Sequence, residues 1–220
     1  DAASKVEKHV KASAESLLSV QPDLVLIPNW MSPDAIGEMR NMQIPVYVYK
    51  TPTTVEEAKA TIHEIAELLH ASDKSMIASM DADLKTVEDL ANKHTGPCPV
   101  VAFYSQFGLN GGKGSTFDDM CKYMKVTNAA AELGLGAYDN GTREDLIRMN
   151  PDVIIIPSAS YTSDGYKPAS ADQLYSDPAL QGVKAIANHR VFLVDSAQIM
   201  SYSQFMTRAM VSMTQYIYSM

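Results

Sequence analysis

The sequence predicts an α/β fold of two similar lobes with mainly parallel sheets. The first observation is an internal repeat: ESLLSVQPDLVLIP at residues 15–28 matches EDLIRMNPDVIIIP at residues 144–157, a constant offset of 129. The second is that the apolar runs are contiguous rather than alternating, as in parallel strands buried on both faces. Similar lobes predict a ligand-binding cleft, although helix, Pro-Asp and strand also follow one another in unrelated α/β proteins. The match continues downstream at a slightly different offset, where Pro33, Gly37 and Val46 correspond to Pro178, Gly182 and Val191.

The length and net charge of the chain limit the classes of function that it can have. A chain of 220 residues can form one or two domains with a sizeable core. No apolar run approaches the ~18 residues of a membrane span. The net charge of −8 argues against a nucleic-acid surface, because phosphate binding needs clustered lysine and arginine. Residue 1 is aspartate and no positively charged, apolar targeting segment follows, so we expect a mature or trimmed form.

The predicted first lobe, residues 1–72, contains two strands. Thr54 and Glu57 form a capping box for its last helix, and Asp73 is expected to cap the next one. That next helix is roughly 30 Å long with no strand beside it, which predicts an interlobe strut at 73–96. The lobe's elements are a helix at 13–20, a strand at 23–27, a helix at 33–41, a strand at 45–49 and a helix at 54–70.

The predicted second lobe, residues 97–220, alternates strands and helices. Cys98 and Cys121 are interpreted as two separate buried thiols, with pairing as the alternative. The methionines of the last helix have helical spacing and are predicted to lie in the core: Met206, Met210 and Met213. The elements are strands at 99–104, 152–156 and 191–194, helices at 116–125, 143–149, 179–187 and 202–218, and a long surface loop at 157–177 with room for one helical turn.

No motif supports catalysis or a metal site built from protein ligands, so we do not expect an enzyme. The loop GLNGGKGS differs from a nucleotide P-loop in its glycine spacing and in having Gly114 after Lys113. Backbone amides at Gly111, Gly112 and Lys113 are candidates for holding an anion or a polar ligand group, with a plain glycine turn as the alternative. The five histidines do not gather at strand ends, and no GxSxG motif occurs.

Candidate binding residues follow the predicted strands, because ligands of parallel α/β sheets gather beyond the carboxyl ends of the strands. The set is aromatic, methionine-rich and neutral, which suits a large, flat, partly apolar ligand better than a sugar or an amino acid. Loop packing is the alternative for each residue. The strand ends also carry Lys50, Ser105, Ser158 and Ser196, and the candidates singled out are Asn29, Trp30, Met31, Thr51, Gln106, Phe107, Ser160, Tyr161, Gln198 and Met200.

An ordered set of phrases carries a family resemblance: PDLVLIP, IPVYVYK, TVEEAKATIHEIAELL, GGKGSTFDDM, PDVIIIP and HRVFLVDS. Over nearly its whole length the chain resembles the substrate-binding proteins of ABC importers for iron chelates, haem and cobalamin. The resemblance implies two α/β lobes joined by one long helix, and delivery of a metal chelate to an importer permease. It also implies an extracytoplasmic location, in the periplasm or as a membrane-anchored lipoprotein, and no resident cofactor.

The resemblance also orders the ligands. PDLVLIPNW and FYSQFG are similar to phrases of cobalamin binders, so cobalamin or another corrinoid ranks first. Haem follows, with Tyr161 as a candidate iron ligand, and a ferric siderophore is third. Acidic residues at the lobe tips are implied to dock the permease, with Asp34 and Asp172 as candidates and solvated or capping carboxylates as the alternative. An α/β enzyme or chelatase-like protein, or a partner-binding subunit without its own ligand, is the alternative function.

The first lobe is incomplete relative to the family, whose members carry a further βαβ portion before the segment that begins this chain. Two parallel strands are too few to cover both faces of a sheet and protect its edges. We therefore predict cover from a second copy, as a homodimer through this lobe, or from a rearrangement of residues 1–20. A compact monomer covered by the helices at 33–41 and 54–70 is the alternative.

Overall fold

A computed structural model of the chain describes residue 10 and residues 13–162 and 165–219, with the backbone alone for Tyr161, Thr162 and Tyr166. Its alternating strands and helices confirm the α/β class. The chain forms two compact units, which divide after Thr51. The predicted lobes at 1–72 and 97–220 stay predictions. Over the described ranges, no helix combines the length and the apolar character needed to cross a membrane.

The first unit contains a two-stranded parallel sheet. Its elements are α1 (Ala14–Leu18), β1 (Val25–Pro28), α2 (Pro33–Asn41) and β2 (Val46–Tyr49). A small core is formed by Ala14, Leu17, Ile27, Met39 and Ile44. The predicted second copy that would cover this sheet stays a prediction. Residues 1–9 and 11–12, which belong to the segment expected to rearrange, lie outside the described residues.

The second unit contains the larger sheet. Its strands are β3 (Val100–Ser105), β4 (Gly108–Asn110), β5 (Thr127–Asn128), β6 (Val153–Pro157), β7 (Ala159–Thr162), β8 (Gly165–Pro168) and β9 (Val191–Val194). Its helices are α3 (Val55–Leu68), α4 (Lys74–Asn92), α5 (Thr116–Met124), α6 (Ala129–Glu132), α7 (Arg143–Met149), α8 (Asp172–Ser176), α9 (Lys184–Ala187), α10 (Ser196–Ile199) and α11 (Phe205–Tyr218). The main sheet has the order β4–β3–β6–β9, with β5 also paired to β3, and only β4 runs antiparallel within it.

Helices cover both faces of the main sheet. Alternate residues of β3 and β6, such as Phe103 and Ile155, pack against α3, α4, α5 and α11. The intervening residues, such as Ala102 and Ile154, pack against α6, α7 and α9. This two-sided burial explains the contiguous apolar runs of the sequence. The predicted core methionines of α11 are confirmed, since Met206, Met210 and Met213 are each 0% exposed.

The start of α3 explains why the chain divides after Thr51. The Val55 N–H donates to the buried Asp119 carboxylate of α5, with a nitrogen–oxygen distance of 2.9 Å. The Thr54 hydroxyl accepts from the Glu57 N–H, as the capping box predicts. The Glu57 carboxylate, however, accepts from the N–H of Thr53 rather than from that of Thr54. The Val55–Asp119 hydrogen bond attaches the beginning of α3 to α5, and the other two stabilise the first turn of α3.

The predicted side-chain cap of α4 is wrong. Asp73 precedes the helix but makes no capping hydrogen bond, and its Oδ2 lies 2.9 Å from Nδ1 of His63. This hydrogen bond lowers the pKa of Asp73 and raises the pKa of His63. α4 packs along α11 within the second unit, and its role as an interlobe strut stays a prediction.

The internal repeat is confirmed by the local geometry of each unit. Val25 pairs with Val46 between β1 and β2, and the equivalent Ile154 pairs with Val191 between β6 and β9. The N-cap side chains of α1 and α7 come from the equivalent Ser13 and Thr142. The equivalent Gln21 and Asn150 both have a φ of 46°, a value uncommon outside glycine. The two segments therefore share one βαβ design.

Two predictions for the second lobe need correction. The stretch 157–177, predicted to be a surface loop with room for one helical turn, contains the antiparallel β7–β8 hairpin besides the short helix α8. Cys98 is exposed and Cys121 is buried, both as free thiols, so the prediction of two buried thiols is wrong for Cys98. Burial raises the pKa of the Cys121 thiol well above its ordinary value.

Candidate ligand-binding site

The first unit presents Trp30 on a tight turn at the end of β1. The turn closes through the Met31 N–H, which donates to the Pro28 carbonyl oxygen at 3.1 Å. The Trp30 side chain is 71% exposed, whereas Met31 is half-buried and packs against the core of the unit. Of these two predicted residues, Trp30 is the one whose side chain is available to a ligand.

Asn29 and Thr51, also predicted as ligand contacts, bind each other. The Asn29 Oδ1 accepts hydrogen bonds from the Thr51 N–H and the Thr51 hydroxyl, each at 3.0 Å. The Asn29 N–H donates to the Tyr49 carbonyl oxygen at 2.9 Å and so continues the β1–β2 ladder. Their polar groups therefore join the ends of the two strands.

Phe107 stands with Gln106 in the two-residue turn of the β3–β4 hairpin. The Phe107 side chain is 67% exposed, and Gln106 is exposed as well. The Ser105 hydroxyl accepts from the Phe107 N–H at 3.2 Å and from the Asn110 side-chain amide at 2.6 Å. The turn that presents Phe107 is thus held by a polar pair at its base.

Ser105 is one of the strand-end positions of the sequence analysis, whereas Asn110 was missed there. The Asn110 Oδ1 is buried and has no hydrogen-bond partner among the described residues, an arrangement that costs about 1–3 kcal/mol. The only sequence signal is Gly108 beside a polar pair, and its φ of 98° is a conformation that favours glycine. The β3–β4 hairpin therefore keeps the Asn110 oxygen buried without a hydrogen-bond partner, in a turn of fixed geometry.

The ends of β6 and β9 are joined by Ser158 and Ser196, two strand-end positions that the sequence analysis identified without predicting that they bind each other. The Ser196 N–H donates to the Ser158 hydroxyl at 3.1 Å. The buried Ser196 hydroxyl accepts from the Ala159 N–H at 2.7 Å and donates to the Ala159 carbonyl oxygen at 3.0 Å. These bonds fix the root of the β7–β8 hairpin. Predicted Ser160 lies half-buried in β7, and the side chain of predicted Tyr161 is outside the described part of the chain.

Gln198 and Met200 follow β9. Gln198 is half-buried in α10, and Met200 just beyond it is 64% exposed. Two exposed aromatic residues that the sequence analysis did not single out come next, Tyr202 at 46% and Phe205 at 40%. Since β3, β6 and β9 are parallel neighbours, their carboxyl ends share one edge of the main sheet. The topology therefore brings Phe107, the hairpin root and Met200 to that edge.

Several N–H groups of the glycine-rich loop already donate hydrogen bonds within the protein. The N–H groups of Lys113, Gly114 and Ser115 donate to protein oxygens at 2.7, 3.1 and 3.1 Å. A Cβ on Gly112 would lie 2.2 Å from a neighbouring backbone oxygen, and Gly111 has a φ of 73°. An anion at the Lys113 amide would have to displace the oxygen that accepts from it, and close backbone packing accounts for Gly112. An anion or polar ligand group at Gly111 and Gly112 stays a prediction.

The chemistry of these strand ends is that of binding. Within the described ranges, no three His, Cys, Asp or Glu side chains come together as metal ligands. The large exposed apolar groups are aromatic rings and a thioether, and the groups beside them are hydroxyls, amides and the charged ends of Lys50 and Asp195. Such groups stack on an apolar ligand and fix its orientation through hydrogen bonds.

The fold and these strand ends define a solute-binding protein of the ABC importer type. The family described as periplasmic binding protein matches residues 1–198, so the chain belongs to that family, whose members are extracytoplasmic transport proteins and not enzymes. No curated protein sequence matches the chain.

Solved structures share the fold at low sequence identity. The periplasmic heme-binding protein RhuT from Roseiflexus sp. RS-1, in apo form, is 23% identical with a TM-score of 0.81, over 94% of this chain and 80% of that one. BhuT in complex with two hemes is 22% identical with a TM-score of 0.75, over 94% and 79%. A possible iron-binding protein from Staphylococcus epidermidis ATCC 12228 is 18% identical with a TM-score of 0.78, over 97% and 84%.

Proposed function

We propose that this substrate-binding protein carries a tetrapyrrole metal chelate to its importer. The observation that carries the proposal is the exposure of three large apolar side chains at strand ends. Trp30 is 71% exposed in the first unit, and Phe107 and Met200 are 67% and 64% exposed in the second. Leaving such surface in water is unfavourable, and a flat apolar ligand that covers one of these side chains would recover about 1.5–3 kcal/mol.

Haem now ranks ahead of a corrinoid. The sequence resemblance favoured cobalamin, but RhuT and BhuT, which share the fold, are described as heme-binding proteins. Both ligands are large, flat and metal-centred, so the same exposed side chains suit either. A ferric siderophore stays third, because the large exposed side chains at the strand ends, Trp30, Phe107 and Met200, are apolar rather than basic.

Titration of the purified protein tests the proposal. Haemin, cyanocobalamin and a ferric trihydroxamate are added in turn, and binding is followed by absorbance and by quenching of the single tryptophan. Metal-free protoporphyrin IX separates contacts to the ring from contacts to the metal. We expect one tetrapyrrole to bind far more tightly than about 1 mM. Failure of every tetrapyrrole to bind below that concentration would refute the proposal.

The same proposal includes docking to the importer permease through Asp34 and Asp172. Both carboxylates are exposed, in the first turn of α2 and the first turn of α8. Reversing both charges, with Asp34→Lys and Asp172→Lys together, is expected to lower chelate uptake by cells while the chelate affinity stays unchanged. Glu132→Lys, an exposed reversal in α6, is the matched control. Normal uptake by the double variant would exclude these two positions.

Two finer predictions belong to this proposal. The sequence analysis offered the periplasm or a lipoprotein anchor as the location, and fractionation of cells decides between soluble and membrane-bound protein. It also offered a homodimer through the first lobe. Light scattering across a dilution series decides that point, because a dimer would dissociate to a monomer as the concentration falls.

A further inference from the structure

The two units make the same hydrogen-bonded connection at the ends of their paired strands. In the first unit, the Asn29 side-chain oxygen accepts from the Thr51 N–H and the Thr51 hydroxyl, each at 3.0 Å. In the second unit, the Ser158 hydroxyl accepts from the Ser196 N–H at 3.1 Å and lies 3.4 Å from the Ser196 hydroxyl. We call each arrangement a strand-end clasp, the Asn29–Thr51 clasp and the Ser158–Ser196 clasp.

The clasps stand at equivalent positions of the internal repeat. Asn29 and Ser158 each follow the first strand of the pair, and their N–H groups donate to the last carbonyl of the second strand, at 2.9 and 2.7 Å. Thr51 and Ser196 each come two residues after that carbonyl. The side chains differ, yet the same two backbone positions are joined. A connection made twice with different side chains indicates a shared geometric requirement at this point of the fold.

In the first unit the clasp acts directly on the turn that carries Trp30. A side chain that is 71% exposed has little packing to fix it, so its placement depends on the backbone. Asn29 precedes Trp30 and is held by the clasp, while the Met31 N–H after it donates to Pro28. The turn is thus fixed on both sides of the tryptophan before any ligand arrives. Such preorganisation strengthens binding because less freedom is lost in the complex.

We propose that Asn29 and Thr51 are positioning residues, which hold the Trp30 turn in its ligand-ready conformation and do not themselves contact the ligand. The Ser158–Ser196 clasp does the same for the root of the β7–β8 hairpin in the second unit. The role of the clasp in binding rests on the proposed function, whereas its hold on the Trp30 turn does not.

Because the chain has one tryptophan, the hold on the turn can be measured without a ligand. Time-resolved fluorescence anisotropy of the parent is compared with Asn29→Ala, which removes the accepting oxygen, and with Asn29→Asp, which retains one. We expect more fast depolarisation of Trp30 in Asn29→Ala than in the parent, and restoration in Asn29→Asp. Ser196→Ala, which loosens the other clasp, should decay like the parent. An Asn29→Ala decay identical to that of the parent would overturn the inference.

Haemin titration then tests the link to binding. Asn29→Ala is expected to lower haemin affinity about 3- to 10-fold, as for the loss of a typical hydrogen bond. In a Trp30→Ala background the same change should cost almost nothing, because no tryptophan remains to be positioned. An equal loss in both backgrounds would show that Asn29 acts otherwise and would overturn the positioning role. If the parent binds no tetrapyrrole, the proposed function fails while the anisotropy result still decides the clasp.

Discussion

Replacing Trp30 with alanine is expected to weaken tetrapyrrole binding by about 1–3 kcal/mol, roughly 5- to 150-fold in Kd. The physical reason is the 71% exposure of the ring, which leaves most of its apolar surface for a ligand to cover. Stacking of the ring on a flat macrocycle adds to this gain. Absorbance titration of the parent and Trp30→Ala with haemin and cyanocobalamin measures the loss. In the parent, binding should also quench the tryptophan fluorescence.

Tyr138→Ala is the matched control for this prediction. Tyr138 is 94% exposed and lies in the loop between α6 and α7, which does not directly follow a strand of the main sheet. Its loss should leave the affinity unchanged, because an exposed ring outside the ligand surface gains nothing on binding. Equal affinities of Trp30→Ala and the parent, with a large loss in Phe107→Ala, would confine the ligand to the second unit.

The parts of the fold that depend on local sequence were predictable. Contiguous apolar runs predicted the parallel strands, because a strand buried on both faces cannot alternate. The repeat predicted a shared βαβ design, and the register of Val25 with Val46 matches that of Ile154 with Val191. The helical spacing of the methionines in α11 predicted their burial. Exposure of Trp30 and Phe107 followed from their position just after strands.

The contacts that the sequence analysis missed depend on residues distant in sequence. Asp119 binds the Val55 N–H across 64 positions, and this contact draws α3 into the second unit. Asp73 has the residue type and position of a cap, but a histidine from the preceding helix binds it instead. The serine pair at 158 and 196 is likewise formed only once β6 and β9 are aligned. Local propensity carries no information about such partners.

The hydrogen bonds and exposure of the candidate residues in the structure changed the interpretation of the site. Asn29 and Thr51 have the polar groups that a ligand contact needs, and their placement at strand ends was predicted. Those groups bind each other, which turns two predicted contacts into a connection between strands. Met31 turns to the core of its unit. A position at a strand end thus selects candidates, while hydrogen bonding and exposure decide which of them can meet a ligand.

The largest stability effect is expected for Ile155→Ala in the centre of the main sheet. Ile155 is 0% exposed, and it pairs with Phe103 on β3 and Phe192 on β9. Removing three carbon atoms from a close-packed site forfeits their transfer free energy and leaves a cavity that neighbouring strands cannot close. We expect the free energy of unfolding to fall by about 2–5 kcal/mol.

Ile147→Ala is the control that shows whether the cost at Ile155 comes from its burial or from the type of side chain removed. It makes the same chemical change at a site in α7 that is 39% exposed. Its cost should stay below about 1 kcal/mol, since less apolar surface returns to water and alanine favours the helix. Urea unfolding followed by circular dichroism gives both values from the transition of the second unit. Two equal costs, or a cost below about 1 kcal/mol for Ile155→Ala, would contradict the central packing of β6. A large loss at Ile155 alone would confirm that β6 is a closely packed central strand of the main sheet.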